Sequence, residues 1–215
     1  MLEFKFSDCK GDIGFLIDGS GSIVDGTRVL TPSGQDYEYR WNLIQDFILV
    51  LAKTIGISES GTRMAVVVFS SDAKLEIKFS DNQNYDSFEK AVLAINNPAS
   101  LTNTLEGFEV ALNEMFNEST GMRADQIPKN LIYLTDGQCT DNNFDCSREK
   151  FEEYGNRFRK RKIRKIGIGI GGFINDEAEL QIILFVGKQN FIKKDNFYII
   201  MTEEFRKNLS LCDGE

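Results

Sequence analysis

Apolar and polar positions divide the chain into short elements of two kinds. Three runs are almost continuously apolar: Asp12–Asp18 (DIGFLID), Met64–Phe69 (MAVVVF) and Leu131–Thr135 (LIYLT). Such runs mark strands covered on both faces. Ile166–Ile170 reads the same way and ends in Gly171-Gly172, and Phe197–Met201 (FYIIM) reads as a last strand. Ala73–Phe79 (AKLEIKF) alternates instead, as a half-exposed edge strand does. Trp41–Ile55 has apolar residues at 41, 43–44, 47–48 and 50–51, the spacing of a helix. Tyr85–Ile95, Leu105–Phe116, the polar Asp145–Arg161, Glu177–Val186 and Glu203–Leu211 also read as helices. The alternation predicts an α/β fold: a doubly wound, mostly parallel sheet with one antiparallel edge strand and helices on both faces. No repeat or linker interrupts it, so residues 1–215 read as a single domain with its core over about 11–211. In such folds ligands bind at the carboxyl ends of the strands.

Composition narrows the function. With 215 residues, 41% of them hydrophobic, the chain can bury a sizeable core without staples. No apolar run approaches the length of a membrane span, so insertion of this chain into a membrane is not expected. The first residues lack the apolar stretch of a secretory signal, and the expectation is a domain excised from a longer protein. A formal charge of −8 disfavours nucleic acid as a partner. There is no histidine, which removes His-based triads, His metal sites and His acid–base chemistry. Any metal site must then use oxygen or thiolate. The four cysteines, Cys9, Cys139, Cys146 and Cys212, form no CxxC pair and allow three pairings. Two glycosylation acceptors, Asn117-Glu118-Ser119 and Asn208-Leu209-Ser210, add to the cysteines in favouring an extracellular setting.

Oxygen ligands gather at predicted strand ends. Asp18, Ser20 and Ser22 follow the first strand as D-x-S-x-S. Thr102 and Thr104 precede a helix in SLTNTLEGF, and Asp136 ends a buried strand in LIYLTDGQ. Each is an ordinary turn residue taken alone. Together they bring two carboxylates and several hydroxyls from three segments to one sheet edge. Mg2+ explains that set, because it demands octahedral oxygen coordination and is typically held by one or two carboxylates and water. Hydroxyl ligands leave the ion electrophilic, able to take a carboxylate from outside.

These three segments resemble the von Willebrand factor type A domain, to which integrin I domains belong, and specifically its metal-ion-dependent adhesion site. The resemblance, which includes GIGIGG and Glu179-Leu180, spans about residues 11–211. It implies Asp18, Ser20, Ser22, Thr102 and Asp136 as metal ligands. Ser20, Ser22 and, in the active state, Thr102 would bind directly, and the aspartates largely through water. The implied cofactor is Mg2+, with Mn2+ or Ca2+ as substitutes. The implied function is an extracellular or cell-surface adhesion module without enzymatic activity, which captures an Asp or Glu of a matrix or cell-surface protein. It further implies that the last helix, Glu203–Leu211, couples to the site. Several extracellular relatives join their termini, which favours the pairs Cys9–Cys212 and Cys139–Cys146. The first pair would restrain that last helix.

Two features depart from the pattern. A long segment, IVDGTRVLTPSGQDYEYR, separates Ser22 from Trp41 and offers Asp25, Tyr37 and Tyr39, with Thr104, as a candidate ligand rim. The run RFRKRKIRK is strongly basic on an acidic chain. Its Arg157, Arg159, Lys160, Arg161, Lys162, Arg164 and Lys165 are either a solvated helix end or a patch for a sulfated glycan. Because the run leads into a parallel strand, it belongs at the edge opposite the metal. Two other classes stay open: an intracellular assembly module of the same fold, and a Mg2+ enzyme, although no phosphate-binding loop or kinase signature is visible.

Overall fold

The structure is a computed structural model that describes residues 10–24, 29–30, 36–37, 40–124, 126–137, 139, 145–171, 174–195, 197–207, 209 and 211. In chain order the elements are β1 (Asp12–Asp18), α1 (Gly21–Val24), β2 (Val29–Leu30), β3 (Asp36–Tyr37), α2 (Arg40–Ile55), β4 (Arg63–Phe69), β5 (Ala73–Ile77) and α3 (Tyr85–Leu93). They continue with α4 (Thr104–Val110), extended by a π-helical turn over Ala111–Met115, then β6 (Lys129–Thr135), α5 (Arg148–Lys160), β7 (Ile163–Ile170), α6 (Asp176–Val186), β8 (Phe191–Lys194) and α7 (Glu203–Lys207). The main sheet has the order β5-β4-β1-β6-β7-β8. All its pairs are parallel except β4 with β5. This is the doubly wound sheet with one antiparallel edge that the apolar pattern predicts. β2 and β3 form a separate two-stranded ribbon inside the long segment after Ser22.

β1 shows why its sequence is apolar throughout. Ile13, Phe15 and Ile17 point to one face and pack with α2, α3 and α7, whereas Leu16 joins the opposite core with α4, α5 and α6. On the first face, Trp41 Nε1 donates to the Ile95 carbonyl at 3.1 Å and Gln45 Nε2 to the Val92 carbonyl at 2.8 Å, tying α2 to the end of α3. On the second, Phe108 stacks on Phe185 with centroids 3.8 Å apart, and Tyr133, Phe151 and Phe158 meet them edge-on. Gly155 allows that layer to close, since a Cβ there would lie 2.6 Å from the Phe185 carbonyl oxygen. Among the described residues no helix is long and apolar enough to cross a membrane.

One expected element is different. Phe197–Met201 is a 3-10 helix, and the last strand is Phe191–Lys194, paired with Gly167–Ile170. The swap follows from packing. Phe191 and Ile192 alternate between the two cores, while Ile200 is fully buried against the α2 side. A four-residue strand ending in two lysines has little apolar signal, whereas five apolar residues can serve a helical turn as well. β7 also starts earlier than expected, at Ile163, and the helix beginning at Glu203 is described to Lys207.

Candidate metal centre

The register sets the ends of three strands side by side. Asp18 pairs with Phe69 of β4, and Ile17 with Leu134 of β6. This is where the strand order reverses about β1, the position at which doubly wound sheets open a crevice. Asp18 is fully buried, and the Ser20 N–H donates to its Oδ1 at 2.8 Å. Thr135 Oγ1 donates to its other oxygen at 2.5 Å. The intervening Gly19 permits close approach of a neighbouring loop, because a Cβ there would sit 2.7 Å from Pro98 Cδ. Ser20 and Ser22 share a hydrogen bond of 3.0 Å between hydroxyls, and Ser22 Oγ donates to Asp136 Oδ1 at 2.7 Å. Four of the five expected ligands thus form one connected cluster.

Thr102 arrives on a segment stitched to the same edge. Ser100 forms a parallel bridge with Ser20, and the Gly21 N–H donates to the Ser100 carbonyl at 2.8 Å. Two serines just past β4 complete the seam. Ser70 Oγ accepts from the Ser100 N–H and donates to the Leu101 carbonyl, each at 3.1 Å, and Ser71 Oγ lies 2.7 Å from Ser100 Oγ. Asn103 caps α4 by accepting from the Glu106 N–H at 3.2 Å. Thr102 is buried, between this pinned backbone and the capped start of α4.

The cluster concentrates buried acidic groups. Burial raises the Asp18 pKa against the hydrogen bonds from Ser20 and Thr135. Burial, and secondarily the charge of Asp18, pushes Asp136 up to about 6. Asp136 Oδ2 is buried and has no hydrogen-bond donor among the described residues. Arg40 Nη1 stands 3.7 Å from it while donating to the Ser22 carbonyl at 2.8 Å. An undonated carboxylate oxygen beside a second carboxylate and three hydroxyl side chains fits a hard, oxygen-seeking divalent ion.

Four residues here were not anticipated: Thr135, Ser70, Ser71 and Arg40. All but Arg40 end or immediately follow a buried strand, and the strand-end rule that picked out Asp18 applies equally to them.

The other expected residues fall variously. Thr104 is buried in the first turn of α4, so it lies beneath the rim rather than on it. Tyr37 belongs to β3, and Asp25 and Tyr39 lie outside the described residues. Cys139 and Cys146 are joined, and Gln181 of α6 clamps both, donating to the Cys146 carbonyl at 3.1 Å and accepting from the Cys139 N–H at 3.4 Å. Cys9, Cys212 and Asn208 lie outside the described residues, and with them the Cys9–Cys212 pair. Asn117 is exposed past the π-helical turn, where the chain heads toward the start of β6.

The side chains of the basic run divide between internal contacts and the surface. Arg161 donates to the Leu112 and Phe116 carbonyls at the end of the π-helical turn. Arg157 pairs with Glu109 at 2.9 Å and lies over Tyr154. Lys165 is buried, donating to the Gly155 carbonyl at 2.9 Å above the Phe185 ring. Arg159, Lys160, Lys162 and Arg164 are exposed.

Burial pulls the Lys165 pKa down to about 8, helped by the charge of Arg159. The folded chain therefore holds fewer protons than the unfolded one between about pH 8 and the ordinary 10.5. The cost of this buried charge is fully present below pH 8 and disappears as pH rises through that window. Lys165→Met should flatten the slope: denaturant melts should show its stability advantage over the wild type shrinking by about 2 kcal/mol between pH ~7.5 and ~10. An unchanged difference across that range would place the ammonium in solvent.

Comparison with known proteins identifies the family and the fold. The family model described as von Willebrand factor type A domain matches residues 12–207. The collagen alpha-5(VI) chain of Homo sapiens is 30% identical over 176 residues, covering 81% of this chain. The transmembrane cell adhesion receptor mua-3 of Caenorhabditis elegans is 30% identical over 135 residues, covering 62% of it. This chain spans only 6% and 3% of those two proteins. Proximal thread matrix protein 1 from the mussel byssus, solved with a zinc-occupied MIDAS motif, superposes with a TM-score of 0.75. That match covers 95% of this chain and 48% of the mussel chain, and at 18% identity it is a likeness of fold.

Proposed function

The chain belongs to the von Willebrand factor type A domain family, and from that membership we propose that it is a non-catalytic adhesion module holding Mg2+ at the carboxyl edge of its sheet. Asp18, Ser20, Ser22, Thr102 and Asp136 are the residues that would hold the ion. When bound, the ion supplies an electrophilic position for a carboxylate of a partner protein. Binding then depends on the cation and involves no turnover. The module acts outside the cell or at its surface, in keeping with relatives named as a collagen chain and a cell adhesion receptor and with the Cys139–Cys146 disulfide. Residues 1–215 act as one domain.

The observation that carries this reading is Asp136 Oδ2, a buried carboxylate oxygen with no donor among the described residues, on a side chain whose other oxygen accepts from Ser22, itself hydrogen-bonded to Ser20. A ligand that binds only the folded state stabilises it, by about 2.7 kcal/mol at a hundred times its dissociation constant. Saturating Mg2+ should accordingly raise the melting temperature by roughly 5–10 °C, reversibly with EDTA. Acid capture is tested separately with acetate as the minimal carboxylate and the Mn2+-loaded domain as a relaxation probe. The acetate methyl resonance should broaden and that of acetamide should not. Equal behaviour of the two would reject carboxylate capture while leaving the metal centre in place.

A further inference from the structure

The first residue of α2 is a base, and its first turn contains no acidic residue. That is locally the wrong sign, because the positive end of a helix dipole favours acids. The guanidinium of this residue, Arg40, instead reaches the metal centre. Its Nη1 is fixed by the Ser22 carbonyl at 2.8 Å and stands 3.7 Å from Asp136 Oδ2. That separation is too long for a hydrogen bond but close enough for a strong Coulomb interaction. The Arg40 side chain is 19% exposed and that of Asp136 only 1%, so water reaches the pair from the arginine side.

We propose that Arg40 is a built-in counter-cation of the metal centre, neutralising Asp136 in the metal-free domain and opposing the incoming divalent ion. The inference rests on the metal-binding reading above and adds its regulation: an affinity held down so that the ion exchanges readily. The contact with the Ser22 carbonyl needs only a neutral donor. The positive charge faces Asp136 Oδ2 across 3.7 Å, and that contact accounts for a base at the start of a helix. A local rule broken beside a functional site is where a functional reason is expected.

The test uses Mg2+ alone, titrated calorimetrically into the wild type, Arg40→Gln and Arg40→Lys at low ionic strength. Glutamine keeps a donor for Ser22 and removes the charge. A unit charge facing a divalent ion across several ångströms of solvent-like dielectric corresponds to about a tenfold change in affinity. Arg40→Gln should bind Mg2+ about tenfold more tightly, Arg40→Lys should stay within about threefold of the wild type, and the gap should narrow in high salt. In EDTA, Arg40→Gln should melt below the wild type, because Asp136 has lost its counter-charge. A purely structural Arg40 would weaken Mg2+ binding when replaced. If the wild type binds Mg2+ and Arg40→Gln binds it no more tightly, the counter-cation role is wrong and the metal centre stands. If neither protein takes up Mg2+, both readings fail.

Discussion

Asp136→Ala lowers Mg2+ affinity by at least about 100-fold and leaves the domain folded. Outer-shell partners of bound metals already cost roughly 10–100-fold when removed, and Asp136 supplies a formal charge as well as an acceptor for Ser22. The metal-free protein bears the opposite sign. At neutral pH the wild type keeps ionised a carboxylate whose pKa burial and Asp18 raise to about 6. A raised acidic pKa means that the penalty is present above pH 6 and fades as pH falls from there toward the ordinary carboxylate range. Alanine removes that penalty at the expense of the Ser22 hydrogen bond. In EDTA at pH 7 the variant therefore melts no lower than the wild type, while the wild type alone gains stability from Mg2+. Calorimetry and paired melting curves check both statements. Undiminished Mg2+ binding by Asp136→Ala would mean that the ion, if held at all, is held elsewhere.

The parts of this molecule legible in the sequence are those whose cause is local. β1, β4 and β6 announce themselves because a strand covered on both faces has no polar positions to alternate with. β5 announces its edge by alternating. The cluster of oxygen side chains is legible for a similar reason, since Asp18 and Asp136 stand directly at the ends of such strands. What was missed depends on contacts between distant segments. FYIIM and FIKK are both short apolar-rich runs, and only the free edge of β7 decides which becomes a strand. The basic run looks like one surface, yet Arg161 is drawn to carbonyls 45 and 49 residues away and Lys165 is buried over Phe185. Arg40 likewise acquires its meaning only when the turn of α2 brings it against Asp136.

The two aspartates of β1 carry that lesson to a second expected result. Asp12 and Asp18 bracket one buried strand, and both are fully buried. Nothing in DIGFLID distinguishes them. Asp12, however, meets Arg123: Nε donates to Oδ1 and the backbone N–H to Oδ2, each at 2.8 Å, and Nη2 donates to the Gly11 carbonyl at 2.8 Å. Its charge is answered inside the chain, at the edge opposite the candidate metal site, while the donors to Asp18 among the described residues are neutral. Arg123→Ala should cost about 3–5 kcal/mol, the usual penalty for leaving one member of a buried ion pair uncompensated. For a domain of this size that corresponds to a fall in melting temperature of roughly 10 °C or more. Adding Asp12→Asn should recover part of the loss, because a neutral amide strands no charge. Mg2+ affinity of the folded Arg123→Ala protein should stay within about twofold of the wild type, since distant sites couple weakly. Denaturant melts of the single and double variants measure the first pair of effects and calorimetry the third. A cost below about 1 kcal/mol would show that Asp12 and Arg123 behave as an exposed pair, and a loss of Mg2+ affinity would show that the two ends of β1 are coupled.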